Sequence, residues 1–135
     1  MKAVNYFLNG YSCSESIILE ASEKGHCSKD LLSVATSFSG GIGTGCLCGA
    51  ISGSIMVIGE LFGKDNKYGN PMIAKKLSKE FMTKFTDKYK ATCCRVLSRG
   101  FEMGSPERKQ HCCNFVEFCS NLLYEVIEKE MVKND

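Results

Sequence analysis

Residues 39–63 read Ser-Gly-Gly-Ile-Gly-Thr-Gly-Cys-Leu-Cys-Gly-Ala-Ile-Ser-Gly-Ser-Ile-Met-Val-Ile-Gly-Glu-Leu-Phe-Gly. The glycine-rich run from Gly40 to Gly45 predicts a loop whose backbone takes positive φ and approaches another group closely. From Cys48 to Phe62, residues such as Ala50, Ile51, Ser54, Val57, Ile58 and Leu61 are apolar or small nearly all round, which predicts a central, buried helix. Gly49 and Gly53 stand four apart on one face, where missing side chains leave room for another helix or a cofactor. Cys46 and Cys48 lie where loop becomes helix, beside free N–H groups and the positive end of the helix dipole. That position favours thiolate, and with it sulfur chemistry or metal ligation. No alternation supports a strand at Ile55–Ile58.

Upstream, Val4, Phe7 and Leu8 share one side of a short helix over residues 2–9, ended by Gly10. Ser12-Cys13-Ser14-Glu15 fits a capping box, placing Cys13 at the first position of a second helix with Ile17, Ile18 and Ala21 inward and Gly25 as its stop. Ser28 is expected to cap a third helix carrying Leu31, Leu32, Val34, Ala35 and Phe38. Downstream, Gly63 to Gly69 forms a polar loop, and Asn70-Pro71 opens a helix with Met72, Ile73, Leu77, Phe81, Phe85 and Tyr89 as its inner stripe. Thr92 to Leu97 is a short helical segment closed by Gly100. Ser105-Pro106 starts a long last helix. At about 100° per residue, Cys112, Phe115, Val116, Cys119, Leu122, Leu123 and Val126 share one face of that helix, with Cys113 at its edge. About six helices, no convincing strand and no internal repeat predict an all-α fold, a single compact bundle and one domain over residues 1–135.

The chain has 135 residues, 44% of them hydrophobic and 24% charged, and nine are cysteines. That length buries roughly two-thirds of the unfolded surface without staples. Met1–Gly10 lacks the basic-then-apolar pattern of a signal peptide. The longest apolar stretch, Ala50 to Ile58, is too short for a bilayer. A cytoplasmic protein is expected, and cysteine clusters there bind metal or do redox work more often than they form structural disulfides. Net charge is +2 with both signs interspersed, so no basic stripe points to nucleic acid. The lysines from Lys75 to Lys90, interrupted by Glu80 and Asp87, read as a solvated helix face.

Several chemistries fail on spacing. The dinucleotide fingerprint is broken because Cys46 stands where its third glycine belongs, and no P-loop is present. The order His111-Cys112-Cys113 is wrong for haem attachment, and paired CxxC zinc knuckles are missing. His26 and His111 have no catalytic context for a cysteine–histidine nucleophile. What remains is four cysteine-bearing segments, at Cys13, Cys46/Cys48, Cys93/Cys94 and Cys112. Brought together, they can supply four thiolates to one cluster or two pairs to reversible disulfides. The plain alternative is a helical binding or oligomerisation module with inert buried thiols.

The order of these segments resembles the redox-active family named for the C_GCAxxG_C_C pattern. Gly10-Tyr11-Ser12-Cys13 is similar to its opening, Gly40-Gly41-Ile42-Gly43 to its glycine approach, Cys48-Gly49-Ala50 through Gly53 to its CGAxxG motif, and Cys94-Arg95 with Leu97 to its C-R-x-L element. The resemblance implies four functional cysteines: Cys13, Cys48, Cys94 and one of the final pair, where the family spacing to Val116 picks Cys112. It gives no role to Cys27, Cys113 or Cys119, and leaves Cys46 and Cys93 as extra thiols beside motif cysteines. A similar domain in split-Soret cytochromes, which carry an iron–sulfur cluster, implies an iron–sulfur cofactor, most simply 2Fe–2S.

On this reading Cys13, Cys48, Cys94 and Cys112 are metal ligands, with Gly45, Gly49 and Gly53 giving clearance for the cofactor. In a cofactor-free dithiol protein, Cys48 attacks and Cys13 or Cys94 resolves. The expected partner is an electron donor or acceptor. Association of family members with transporter loci adds a membrane transporter system as a partner. The small-residue face of the central helix suits a homodimer as well as a core.

Overall fold

The capping box closes as its residues require. Ser12 Oγ accepts from the Glu15 backbone N–H (3.3 Å) and Glu15 Oε1 accepts from the Ser12 N–H (2.8 Å), so α2 runs Cys13–Glu23 with Cys13 at its first position. In the computed structural model, which describes residues 1–67 and 69–134, α1 (Ala3–Leu8) precedes it and α3 (Leu31–Thr36) follows. The remaining helices are α4 (Gly49–Phe62), α5 (Pro71–Tyr89), α6 (Cys94–Leu97) and α7 (Pro106–Asn134). No strand occurs among the described residues, and the all-α bundle is the observed architecture.

The other start signals also work. Asn70 Oδ1 accepts from the Met72 N–H (3.0 Å), with Pro71 at the first helical position, and Ser105 Oγ accepts from the Arg108 N–H (3.1 Å). Ser28 departs from expectation. Its hydroxyl accepts from Asp30 (3.1 Å) while its own N–H donates to Glu60 (3.0 Å), so it caps a turn, and α3 begins only at Leu31. α3 is peripheral: Ala35 alone is buried, and Val34 faces solvent. Two inward assignments also move. Leu8 is exposed where Ala3 and Phe7 are buried, and Met72 is 79% exposed because it is rotated off the stripe of Ile73, Leu77, Phe81 and Phe85 that meets the core. The Gly63–Gly69 segment is the expected polar loop, apart from Tyr68, which lies outside the described residues.

α4 is the axis of the bundle, packed against α2, α5 and α7. Its approach to α2 depends on the two glycines. A Cβ on Gly53 would lie 2.8 Å from the Ser14 carbonyl oxygen and 3.2 Å from Ile17 Cβ, and one on Gly49 would lie 3.2 Å from Cys13 Cβ. The helix that the missing side chains admit is α2. A buried carboxylate fixes α2 to its other neighbours. Glu20 accepts from the Ala3 N–H (2.9 Å), the Tyr124 hydroxyl (2.7 Å) and the Ser120 hydroxyl, tying α1, α2 and α7 together.

On the outer face of α5, Lys84 pairs with Glu80 and Glu125 (3.3 Å each). Such solvated pairs contribute little stability.

Candidate functional site: a cavity lined by four thiols

The glycine run is a wide left-handed turn. Gly40, Gly41, Ile42 and Gly43 all have φ between 62° and 71°, and the Cys46 N–H donates to the Gly41 carbonyl (2.9 Å). Only glycine takes this conformation at no steric cost, so Ile42, which is exposed, is held there by its neighbours. The turn brings a distant cysteine close: a Cβ on Gly41 would lie 2.8 Å from Cys94 Cβ. On the far side of the turn, the Cys48 N–H donates to the Thr92 carbonyl (2.8 Å), pinning the start of α4 to the segment that enters α6. Gly49 sets the distance to Cys13. Glycine approach at Gly41 and Gly49 thus gathers three cysteine segments, and α7 supplies the fourth.

The result is a cavity of about 450 Å³ lined by Cys13, Cys48, Cys94 and Cys112. Gly49 also lines it; Gly45 and Gly53 do not. Gly53 packs against α2, and Gly45 (φ +75°) packs against Arg95, whose Cβ would lie 2.9 Å from an added one. The N-terminal ends of α2, α4 and α7 reach the same cavity through Ser12, Gly49 and Pro106, so three positive dipole ends meet there. Two cations join them. Arg108 Nη2 donates to Cys94 Sγ (3.2 Å) and Nη1 to Met103 Sδ (3.1 Å). Lys109 sits over the Phe7 ring at 3.8 Å from its centroid. Phe7 and Phe115 make the cavity's apolar wall.

Burial works against that positive field. Cys48 is 4% exposed, and burial pushes its thiol from 9.0 up to about 11, although the Ala50 and Ile51 amides pull it down. Cys13 is pushed well up, first by burial and then by the charges of Cys48, Cys112 and Cys94, against the pull of Lys109. Cys112 rises by burial, opposed by Arg108 and Lys109. The helix start does favour thiolate at Cys48, through the Ala50 and Ile51 amides, but desolvation is the larger influence and pushes the thiol up.

The other cysteines lie elsewhere. Cys46 is exposed, and Cys93 caps α6 without lining the cavity. Cys27 donates to the Ile18 carbonyl (3.7 Å), and burial pushes it to about 12. Cys113 is buried as deeply as Cys112 and not at an edge, but it faces away from the cavity lining. Cys119 is fully buried, and its thiol is raised first by burial and then by the charges of Cys48 and Cys13. Sequence reasoning placed it inward without seeing these neighbours, and it missed Arg108 and Lys109 altogether. His111 is a structural pin, bonded to the Leu97 carbonyl (2.8 Å) and stacked on Phe101.

Among the described residues, no three His, Cys, Asp or Glu side chains sit close enough together to hold one metal ion. The four thiols surround a volume, not a point. No described helix is long and apolar enough to cross a membrane.

No curated protein and no solved structure matches the chain. Residues 11–126 match a family described as "Putative redox-active protein (C_GCAxxG_C_C)". That span begins at Tyr11, takes in all four cavity thiols and ends within α7, and the chain belongs to this cysteine-rich, redox-active C_GCAxxG_C_C family.

Proposed function

We propose that the protein is an electron-transfer or redox-sensing module whose four-thiol cavity holds an iron–sulfur cluster, 2Fe–2S in its simplest form. The observation that carries this reading is the convergence of Cys13, Cys48, Cys94 and Cys112, from four separate segments, on one cavity. The donor set fits the group. Thiolates are the ligands such clusters take, four cysteines line one cavity, and the surrounding charge is positive. When bound, the cluster supplies one-electron chemistry. The chain's own residues hold and condition it: the cysteines would ligate as thiolates, and at Cys13, Cys48 and Cys112 that means releasing a proton that burial favours. Arg108 presents a charged donor to the Cys94 sulfur, while Phe7 and Phe115 exclude water. The partner is an electron donor or acceptor.

Iron and sulfide analysis with visible absorption, on protein purified anaerobically and then reconstituted, tests the reading. Bound iron and sulfide should disappear in Cys48→Ser and Cys112→Ser and persist in Cys46→Ser and Cys113→Ser. Wild-type protein without iron, sulfide or visible absorption after reconstitution would overturn it.

A second reading, a cofactor-free dithiol, is favoured by one contact, the Arg108 guanidinium on Cys94 Sγ (3.2 Å). It starts at Cys94 and not at Cys48, whose proton is held up to about pH 11. Cys94 attacks an external disulfide and releases one thiol. Cys112 then displaces the second, leaving a Cys94–Cys112 disulfide and two reduced thiols.

A further inference from the structure

Behind Cys94 lies a second cavity of about 370 Å³, on the other side of the left-handed turn. It is lined by Arg95, Arg99 and Arg108 together with Thr44, Ser98 and Phe101; Arg95 and Arg99 are exposed and Arg108 is half-buried. No carboxylate lines it. Arg95 and Arg99 make no ion pair or side-chain hydrogen bond among the described residues, and Arg108 reaches only the two sulfur atoms of Cys94 and Met103.

The backbone that carries the arginines is held in place. Gly45 lets the Arg95 backbone and Cβ approach to a distance that any side chain would block. The segment bearing Arg99, Phe101 and Met103 is anchored by Phe101 stacked on His111, with ring centroids 4.4 Å apart, and by Ser105 capping Arg108. Planar guanidiniums with fixed forks recognise oxyanions through paired, charge-assisted hydrogen bonds. Glu102 and Glu107, the nearest acids in sequence, line neither cavity.

We propose that this arginine-lined cavity binds the oxyanion group of a small molecule, a phosphate or carboxylate, adjacent to the thiol cavity. Cys94 and Arg108 line both cavities, so an anion drawn to Arg108 competes with the Cys94 sulfur for the same guanidinium. Occupancy of one cavity is thereby felt in the other.

Calorimetric titration of the full, reduced, metal-free chain with inorganic phosphate in one arm and citrate in the other tests the site independently of any cluster. Chloride at matched ionic strength serves as the blank. Saturable binding of either probe is expected, weakened at least about tenfold in Arg99→Ala and in Arg95→Ala, the loss expected for one charge-assisted pair. It should be unchanged in Lys75→Ala, which removes the same charge from the outer face of α5. Binding of phosphate alone identifies a phosphate-bearing ligand, and binding of citrate alone a carboxylate-bearing one. No saturable heat with either probe, or an equal loss in Lys75→Ala, would overturn the proposal. Circular dichroism of each variant verifies the fold, and two independent arginine variants keep the test valid if one misfolds.

Discussion

Cys48→Ser should flatten the alkaline limb of the stability curve of the reduced, metal-free protein. In the folded state burial holds the Cys48 proton until about pH 11, whereas the ordinary value is 9.0. Below pH 9 both folded and unfolded thiols are protonated, and the difference contributes its full amount to stability. Between those values the unfolded chain releases the proton and the folded one retains it. Fewer protons bound in the unfolded state means that stability falls as pH rises. From 9.0 to about 11, at about 1.4 kcal/mol per pH unit, the loss assignable to this one group is about 3 kcal/mol. Serine does not titrate there. Its absolute stability differs by a pH-independent packing and desolvation cost, but its slope should be shallower by up to about 1.4 kcal/mol per pH unit across this window. Urea unfolding followed by helical circular dichroism, with reductant and chelator present, measures both slopes. Cys13, Cys112 and Cys119 are also raised by burial; the charge of Cys48 adds to the rise at Cys13 and Cys119, so its removal flattens the slope in the same direction. Parallel curves for wild type and variant would refute the reasoning that desolvation outweighs the helix start at Cys48.

Two further outcomes follow from the packing. Gly53→Ala gains roughly 1 kcal/mol of helix propensity but places a Cβ 2.8 Å from the Ser14 carbonyl oxygen, a backbone atom that cannot rotate away. Overpacking of that kind costs about 1–3 kcal/mol, so net destabilisation of roughly 1 kcal/mol in urea unfolding is expected; a stabilised variant would contradict it. Ser12→Ala removes the α2 cap and should cost about 1 kcal/mol, measured the same way, whereas Ser28→Ala, which caps only a turn, should cost clearly less.

How much of this was legible depends on whether the deciding interaction is local. The starts of α2, α5 and α7 are each written within four residues, as Ser12 with Glu15, Asn70 with Pro71, and Ser105 with Pro106, and all three form as expected. The burial of α4 and the inner face of α7 follow from helical period alone. Ser28 misled because its N–H is taken by Glu60, 32 residues away, and no local pattern announces that. Met72 misled because its apolar side chain reads as part of the stripe although it lies about 140° round the helix from Leu77, whereas its neighbour Ile73 packs against the core. Cys113 shows the complementary error: α7 is enclosed widely enough to bury a residue rotated off its central stripe.

The site divides in the same way. Its cysteines could be picked out by order and by motif, and Gly41 and Gly49 are what turn that order into a place. A Cβ at either position would meet the Cβ of a cysteine from another segment, Cys94 or Cys13, at 2.8 and 3.2 Å. The electrostatics were not legible. A cysteine beside a helix start reads as a thiolate from local sequence, yet the same α4 start is enclosed by α2 and α7, and the cost of placing charge there outweighs the dipole. Arg108 and Lys109 look like ordinary solvated charges in the first turns of a long helix, and only the fold directs them to sulfur and to the Phe7 ring. The positive surroundings and the buried sulfurs belong together: burial raises Cys13, Cys48 and Cys112, while Arg108 and the N-terminal ends of α2, α4 and α7 bring positive charge to the same cavity.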